Sequence, residues 1–224
     1  MPDQALDVPR GRPGPRDGES ALLVLVPAAE PAVGEHRARL DPSARDGVPA
    51  HLTVLYPFLP PALIDDAVLA SLAALFAAVP AFAFTLDRVG WFGDDVVWLG
   101  PRDARPFRTL TSLACGAFPS CDPYGGQYAD TVPHLTVGHL DDPAALRAAG
   151  EAVRPYLPID AAAAEVTLMA GPRPGTPGAP PGQWRPLAAF PLPGTPASLA
   201  APSGRSRIRP ASSPLVNDSA VAQA

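Results

Sequence analysis

Two identical strings, His51-Leu52-Thr53-Val54 and His134-Leu135-Thr136-Val137, each begin with a histidine in a chain that has only four. Each follows closely on a proline, Pro49 in one case and Pro133 in the other. As a β-strand, such a string places His and Thr on one face and Leu and Val on the other. The His and Thr then stand roughly 6.5–7 Å apart along the strand. Imidazole gains and loses a proton near neutrality. Phosphodiester displacement needs one group to take a proton from the attacking oxygen and another to return one to the departing oxygen. Threonine hydroxyls can hydrogen-bond the non-bridging oxygens, where charge shifts in the transition state. Two such strands facing each other across a cleft supply all of this without a metal. For one copy alone, a hydrogen-bonded strand histidine beside a strand-forming threonine is the ordinary explanation. The pair, each with an apolar Leu/Val face, points to chemistry.

A metal centre is the rival. His134 and His139 are five residues apart, so a regular strand directs them to opposite faces. They also lack the i,i+4 spacing of a helical zinc motif. No cysteine or carboxylate cluster accompanies them, so neither metal nor cofactor is expected. His36 falls in an arginine-rich helical stretch and reads as solvated.

The bulk properties narrow the partners. Net charge is −5, and all seventeen basic residues are arginine. An acidic chain without a basic run is poorly suited to long duplex nucleic acid, which is gripped by neutralising many phosphates. A small phosphodiester or an RNA end needs only a few local donors. The 32 prolines and 19 glycines concentrate towards the ends, where too little apolar surface is available to offset the entropy of ordering. Residues 1–20 and 193–224 are therefore expected to be disordered tails around a domain at 21–192. Cys115 and Cys121 form neither a disulfide framework nor a zinc knuckle and read as reduced residues of a cytoplasmic protein. Arg10, Arg12 and Arg16 before the apolar run 21–26 faintly resemble a secretory signal. Asp17 and Glu19 abut that run and Pro27 stops it, so a first strand is the better reading. No segment reaches transmembrane length.

The elements that must position the histidines follow from periodicity. Strands are expected at 21–26, 51–55, 82–86 and 96–99, with a hairpin turn at Gly93-Asp94-Asp95. Helices are expected through His36 to Leu40 and at 65–79, 105–117 and 143–156. A strand covers 134–137, and 160–170 with 184–190 forms a final strand pair. Irregular alternation with hairpin links favours α+β with antiparallel sheets over a doubly wound parallel sheet. One histidine strand per half suggests a bilobal, internally duplicated fold, with helix-flanked sheets around a central cleft.

With both motifs in hand, the chain resembles the 2H phosphoesterase superfamily, in particular its 2′-5′ RNA ligase-like branch. The likeness runs from Gly47-Val48-Pro49-Ala50-His51-Leu52-Thr53-Val54-Leu55-Tyr56-Pro57-Phe58 through Arg88-Val89-Gly90-Trp91-Phe92 and Val96-Val97-Trp98-Leu99. It ends with Val132-Pro133-His134-Leu135-Thr136-Val137. The resemblance implies metal-independent action on 2′,3′-cyclic or 2′-5′ phosphodiesters. It makes His51 and His134 the acid–base pair, and Thr53 and Thr136 the phosphate-facing hydroxyls. Relatives often carry an arginine three residues after the second Thr, where this chain has His139, a candidate substrate contact. Tyr56, Tyr124 and Tyr128 are candidates to stack on a base, with Phe58 and Trp91 beside them. Arg88 and Arg105 are possible phosphate contacts. A monomeric cyclic phosphodiesterase is the expectation. The competing one is a phosphoester-binding module that keeps the cleft and turns nothing over.

Overall fold

The run Ala21 to Leu25 is apolar at every position, the pattern of a strand covered on both faces. In the computed structural model, which describes residues 18–121, 132–173 and 183–196, it forms the inner strand β1 (Glu19–Leu25). β1 pairs antiparallel with β2 (His51–Leu55) on one side and with β7 (Glu165–Gly171) on the other. β8 (Arg185–Pro191) completes this first sheet in the order β2-β1-β7-β8. The second sheet runs β5-β4-β3-β6, with β3 (Phe82–Phe92), β4 (Val96–Pro101), β5 (Leu135–His139) and β6 (Ile159–Ala163). In both sheets the strand of the His-Leu-Thr-Val motif lies at an edge, and these two edges meet.

Helices flank the two sheets, and their bounds follow from their end residues. α1 (Glu30–Leu40) carries Pro31 in its first turn and stops where Asp41-Pro42 begins the short α2 (Pro42–Arg45), as a pre-proline residue disfavours helix. Asp65 caps α3 (Asp66–Phe76) through the Val68 N–H, and Asp142 caps α5 (Pro143–Val153) through the Ala145 N–H. α4 spans Arg105–Ala117. The packing crosses between halves: α1, from the first, lies on β5, whereas α4, from the second, lies on β2. Leu52, Val54, Leu135 and Val137 are all buried in the one large core beneath these helices.

The α+β architecture with antiparallel sheets is as expected. Two details differ. The stretch 160–170 is two strands, β6 and β7, which belong to different sheets. The crossing falls at Ala164, after the alanine-rich end of β6, with no glycine or proline to mark it. β1 begins at Glu19, and Ser20 is fully buried with its hydroxyl donating to the Leu59 carbonyl at 2.5 Å. Most of both expected tails lies outside the described residues.

Candidate active site

Alternation along β2 does what the motif implies. His51 and Thr53 are half-buried, whereas Leu52 and Val54 are buried. His134, Thr136, Leu135 and Val137 repeat the pattern, with His134 immediately ahead of β5. The two imidazoles are also held alike. The His51 Nδ1–H donates to the Pro49 carbonyl and the His134 Nδ1–H to the Val132 carbonyl, each at 2.7 Å and two residues upstream. A carbonyl only accepts, so both rings carry hydrogen on Nδ1, and a neutral ring keeps its lone pair on Nε2.

The walls beside the rings are apolar. On the first sheet, Leu23 is paired with Thr53 and Leu25 with His51. They join Ala21, Val48, Met169 and Trp184 in a hydrophobic cluster on the side away from the main core. On the second sheet, Trp98 is paired with Thr136, and its ring centroid lies 6.1 Å from that of His134. The Phe92 ring meets His134 edge-on at 4.9 Å and Trp98 at 5.2 Å. Arg88 flanks the far edge of the Trp98 indole, over Gly100.

These walls set the proton affinities. Burial depresses His51 most, and the nearby Arg37 cation adds to it, outweighing the Pro49 hydrogen bond and Asp41, so its pKa falls from 6.5 to about 4. His134 contributes a smaller lowering, which puts the two rings within electrostatic reach of each other. Burial also lowers His134, against its bond to Val132.

The other candidates scatter. Tyr56 packs at 6.4 Å from Trp184, but its hydroxyl donates to Glu19 at 2.5 Å, and burial with this bond raises its pKa. Glu19 in turn pairs with Arg173 at 2.8 Å. Phe58 is core, edge-on to Phe118. Trp91 faces the helices, against Gly150 of α5. Arg105 is an exposed partner of Asp103. Tyr124 and Tyr128 lie outside the described residues.

His139 corrects the alternation argument. The β4–β5 register slips by one residue between Val97 and Trp98, so Gly138 pairs with Val97 and His139 with Val96. Gly138 then faces Leu146 and Leu40 beneath the helices, and His139 returns to the face of Trp98 and His134. It is exposed at the far end of the strand. His36 is half-buried rather than solvated, with Nδ1 shielded from water and without a partner among the described residues. Among the described residues no cluster of three or more His, Cys, Asp or Glu is arranged to hold a metal ion, and no helix is long and apolar enough to cross a membrane.

Sequence reasoning missed Phe92 and Trp98 as neighbours of the second motif. Their signal was the period-two phase of the β3–β4 hairpin, legible only once β4 is known to pair with β5.

A family model described as the 2′-5′ RNA ligase superfamily matches residues 25–173. The chain is similar to E. coli LigT in a crystal structure with 3′-AMP, at 23% identity over 79% of this chain and 99% of that one, with a TM-score of 0.51. It is similar also to the protein TT0787 of Thermus thermophilus, at 18% identity over 78% and 97% of the two chains, with a TM-score of 0.50. At such identities the structural likeness speaks for fold. No curated protein matches the chain.

Proposed function

Since the chain belongs to the 2′-5′ RNA ligase superfamily, a family of 2H phosphoesterases, we propose that it hydrolyses 2′,3′-cyclic or 2′-5′ phosphodiesters of a nucleotide or RNA end. The observation that carries this reading is the matched anchoring of His51 and His134 through Nδ1 on abutting strands. It leaves two Nε2 atoms for proton transfer on either side of one phosphorus. Burial and Arg37 favour neutral His51, so His51 takes the proton from the attacking water as its oxygen bonds to phosphorus. The P–O bond to the ribose oxygen breaks, and protonated His134 gives that oxygen its proton. The product is a phosphomonoester. Thr53 and Thr136 donate to the non-bridging oxygens, and Phe92 and Trp98 keep water away from the His134 side. The enzyme acts as a monomer in the cytoplasm, and no step requires a metal.

The test is a panel of cyclic phosphodiesters and 2′-5′-linked dinucleotides followed by phosphorus NMR, with and without chelator. Ring opening that survives chelation supports the reading. Binding without product on every substrate would instead identify a phosphoester-binding module.

The pH profile has a defined shape. His51 must be neutral and His134 protonated in the free enzyme. Hence kcat/KM should rise as pH passes about 4, and decline on the alkaline side with a midpoint below the ordinary histidine value of 6.5. An anionic substrate moves both limbs of kcat upward. A rate that climbs steadily from pH 6 to pH 9 would contradict the assignment.

Thr53→Val and Thr136→Val should each cost kcat about 10²-fold, the scale of one lost donor to a transition-state oxygen. Val keeps strand propensity and shape, so unchanged melting with reduced kcat separates this role from a structural one.

A further inference from the structure

A buried ion pair stands behind the site, and beyond the effect of the Arg37 charge on His51 it takes no part in the steps above. Arg37 and Asp41 are 2% and 3% exposed. Withdrawing two charges from water is costly, and apolar residues of similar volume often fill such space without loss of stability. What the pair holds is therefore informative. The Asp41 carboxylate accepts from Arg37 Nε at 3.1 Å and Nη2 at 2.9 Å, and also from the Ser43 N–H. Arg37 Nη2 donates further to the Ser43 hydroxyl and to the Val48 carbonyl, both at 3.2 Å. Val48 precedes Pro49, whose carbonyl orients His51. On the other side, the Ala50 N–H donates to Glu30 Oε1 at 2.7 Å, and the Ala50 carbonyl accepts from the Val26 N–H at 2.7 Å. Pro49 has no N–H of its own to anchor, so its carbonyl direction depends on these neighbours. Arg37 and Glu30 both belong to α1, the helix that packs on the strand of His134.

We propose, resting on the active-site reading above, that Arg37, seated by Asp41, is a positioning residue for His51. With Glu30 it fixes the Val48–Ala50 segment so that the Pro49 carbonyl holds the imidazole with Nε2 on the cleft.

The arrangement distinguishes the two motifs. The groups that act on the charge of His51 are Arg37 and Asp41 from the α1 side and His134 just ahead of β5, and Glu30 holds the neighbouring Ala50 N–H. The lowering at His134 comes from burial alone, opposed by its own carbonyl bond.

The test uses the full chain carrying Arg37→Met, and a second variant, Arg37→Met/Asp41→Leu, which spares folding from an unpaired buried carboxylate. Nitrogen-15 NMR of the imidazoles reads tautomer and titration without any substrate. In the wild type, His51 should show one Nδ1–H tautomer and titrate near pH 4. Both variants should show mixed His51 tautomers, whereas His134 keeps its own. Arg37→Met should also raise the His51 midpoint on the order of one pH unit. On a cyclic phosphate, kcat should fall on the order of 10- to 100-fold with KM changed by no more than about twofold. If Arg37→Met does not fold, the double variant decides. A folded double variant whose His51 keeps the wild-type tautomer overturns the inference. If the wild type turns nothing over and the His51 signals still change as described, the positioning role stands and the hydrolase reading fails.

Discussion

His51→Ala and His134→Ala should each lower turnover of a 2′,3′-cyclic phosphate by about 10²- to 10⁴-fold, the range for a positioned proton-transfer group. In the proposed displacement both histidines act on the same step, so the double variant should be little worse than either single one. KM should change less than kcat, because the threonines and the cleft walls remain. Single-turnover rates on purified, folded variants check this. Wild-type turnover by either single variant would remove the His–His mechanism. The substitutions also have a stability signature with a definite sign. His51 titrates at about 4 in the folded protein and near 6.5 when unfolded, so the unfolded chain binds more protons between these values. Its contribution to stability is fully present above pH 6.5 and is lost as pH falls towards 4. His51→Ala should therefore flatten the acid dependence of melting as well as lowering turnover.

Gly90→Ala should damage both stability and activity, although residue 90 touches neither histidine in sequence nor substrate. A Cβ there would lie 2.2 Å from two ring carbons of Trp98, closer than any real contact. The indole has little room to retreat, since it lies over Gly100 with Arg88 at its edge and packs against Phe92 and His134. Overpacking of this kind costs about 1–3 kcal/mol, or roughly 3–10 °C in Tm for a chain of this size. Movement of Trp98 towards the site disturbs His134, and misplacement by an ångström costs on the order of 10²-fold in rate. Adding Trp98→Leu should recover much of the lost stability, a coupling that a thermal double-mutant cycle measures. Strict additivity of the two changes would show that the indole is not the group displaced.

The motif was legible because strand alternation is local. His51 with Thr53, and His134 with Thr136, share a face whatever the rest of the chain does. The helix at 105–117 was legible to the residue, because Arg105-Pro106 starts it and its apolar positions Phe107, Leu110 and Ala114 recur at helical spacing. What failed depended on pairing. The break between β6 and β7 sits among alanines, which carry neither a turn preference nor a period. The face of His139 depends on a register slip against β4, which no pattern within 134–139 encodes. The Phe92–Trp98 wall needed the same strand order. The enclosure of Arg37 was hidden for another reason: an arginine among others in a polar helix looks solvated until Asp41 and the Val48 carbonyl are seen to enclose it.

The strand order of the first sheet bears on how this site can be lost. His51 stands on a strand backed by β1, and β1 is completed by β7, which begins at Glu165, well after the second motif. A version ending just before Glu165 would still display both His-Leu-Thr-Val strings. It would nonetheless expose one flank of β1 and unsettle the support under the first imidazole. Intact motifs in shortened homologues are thus no guarantee of a working pair.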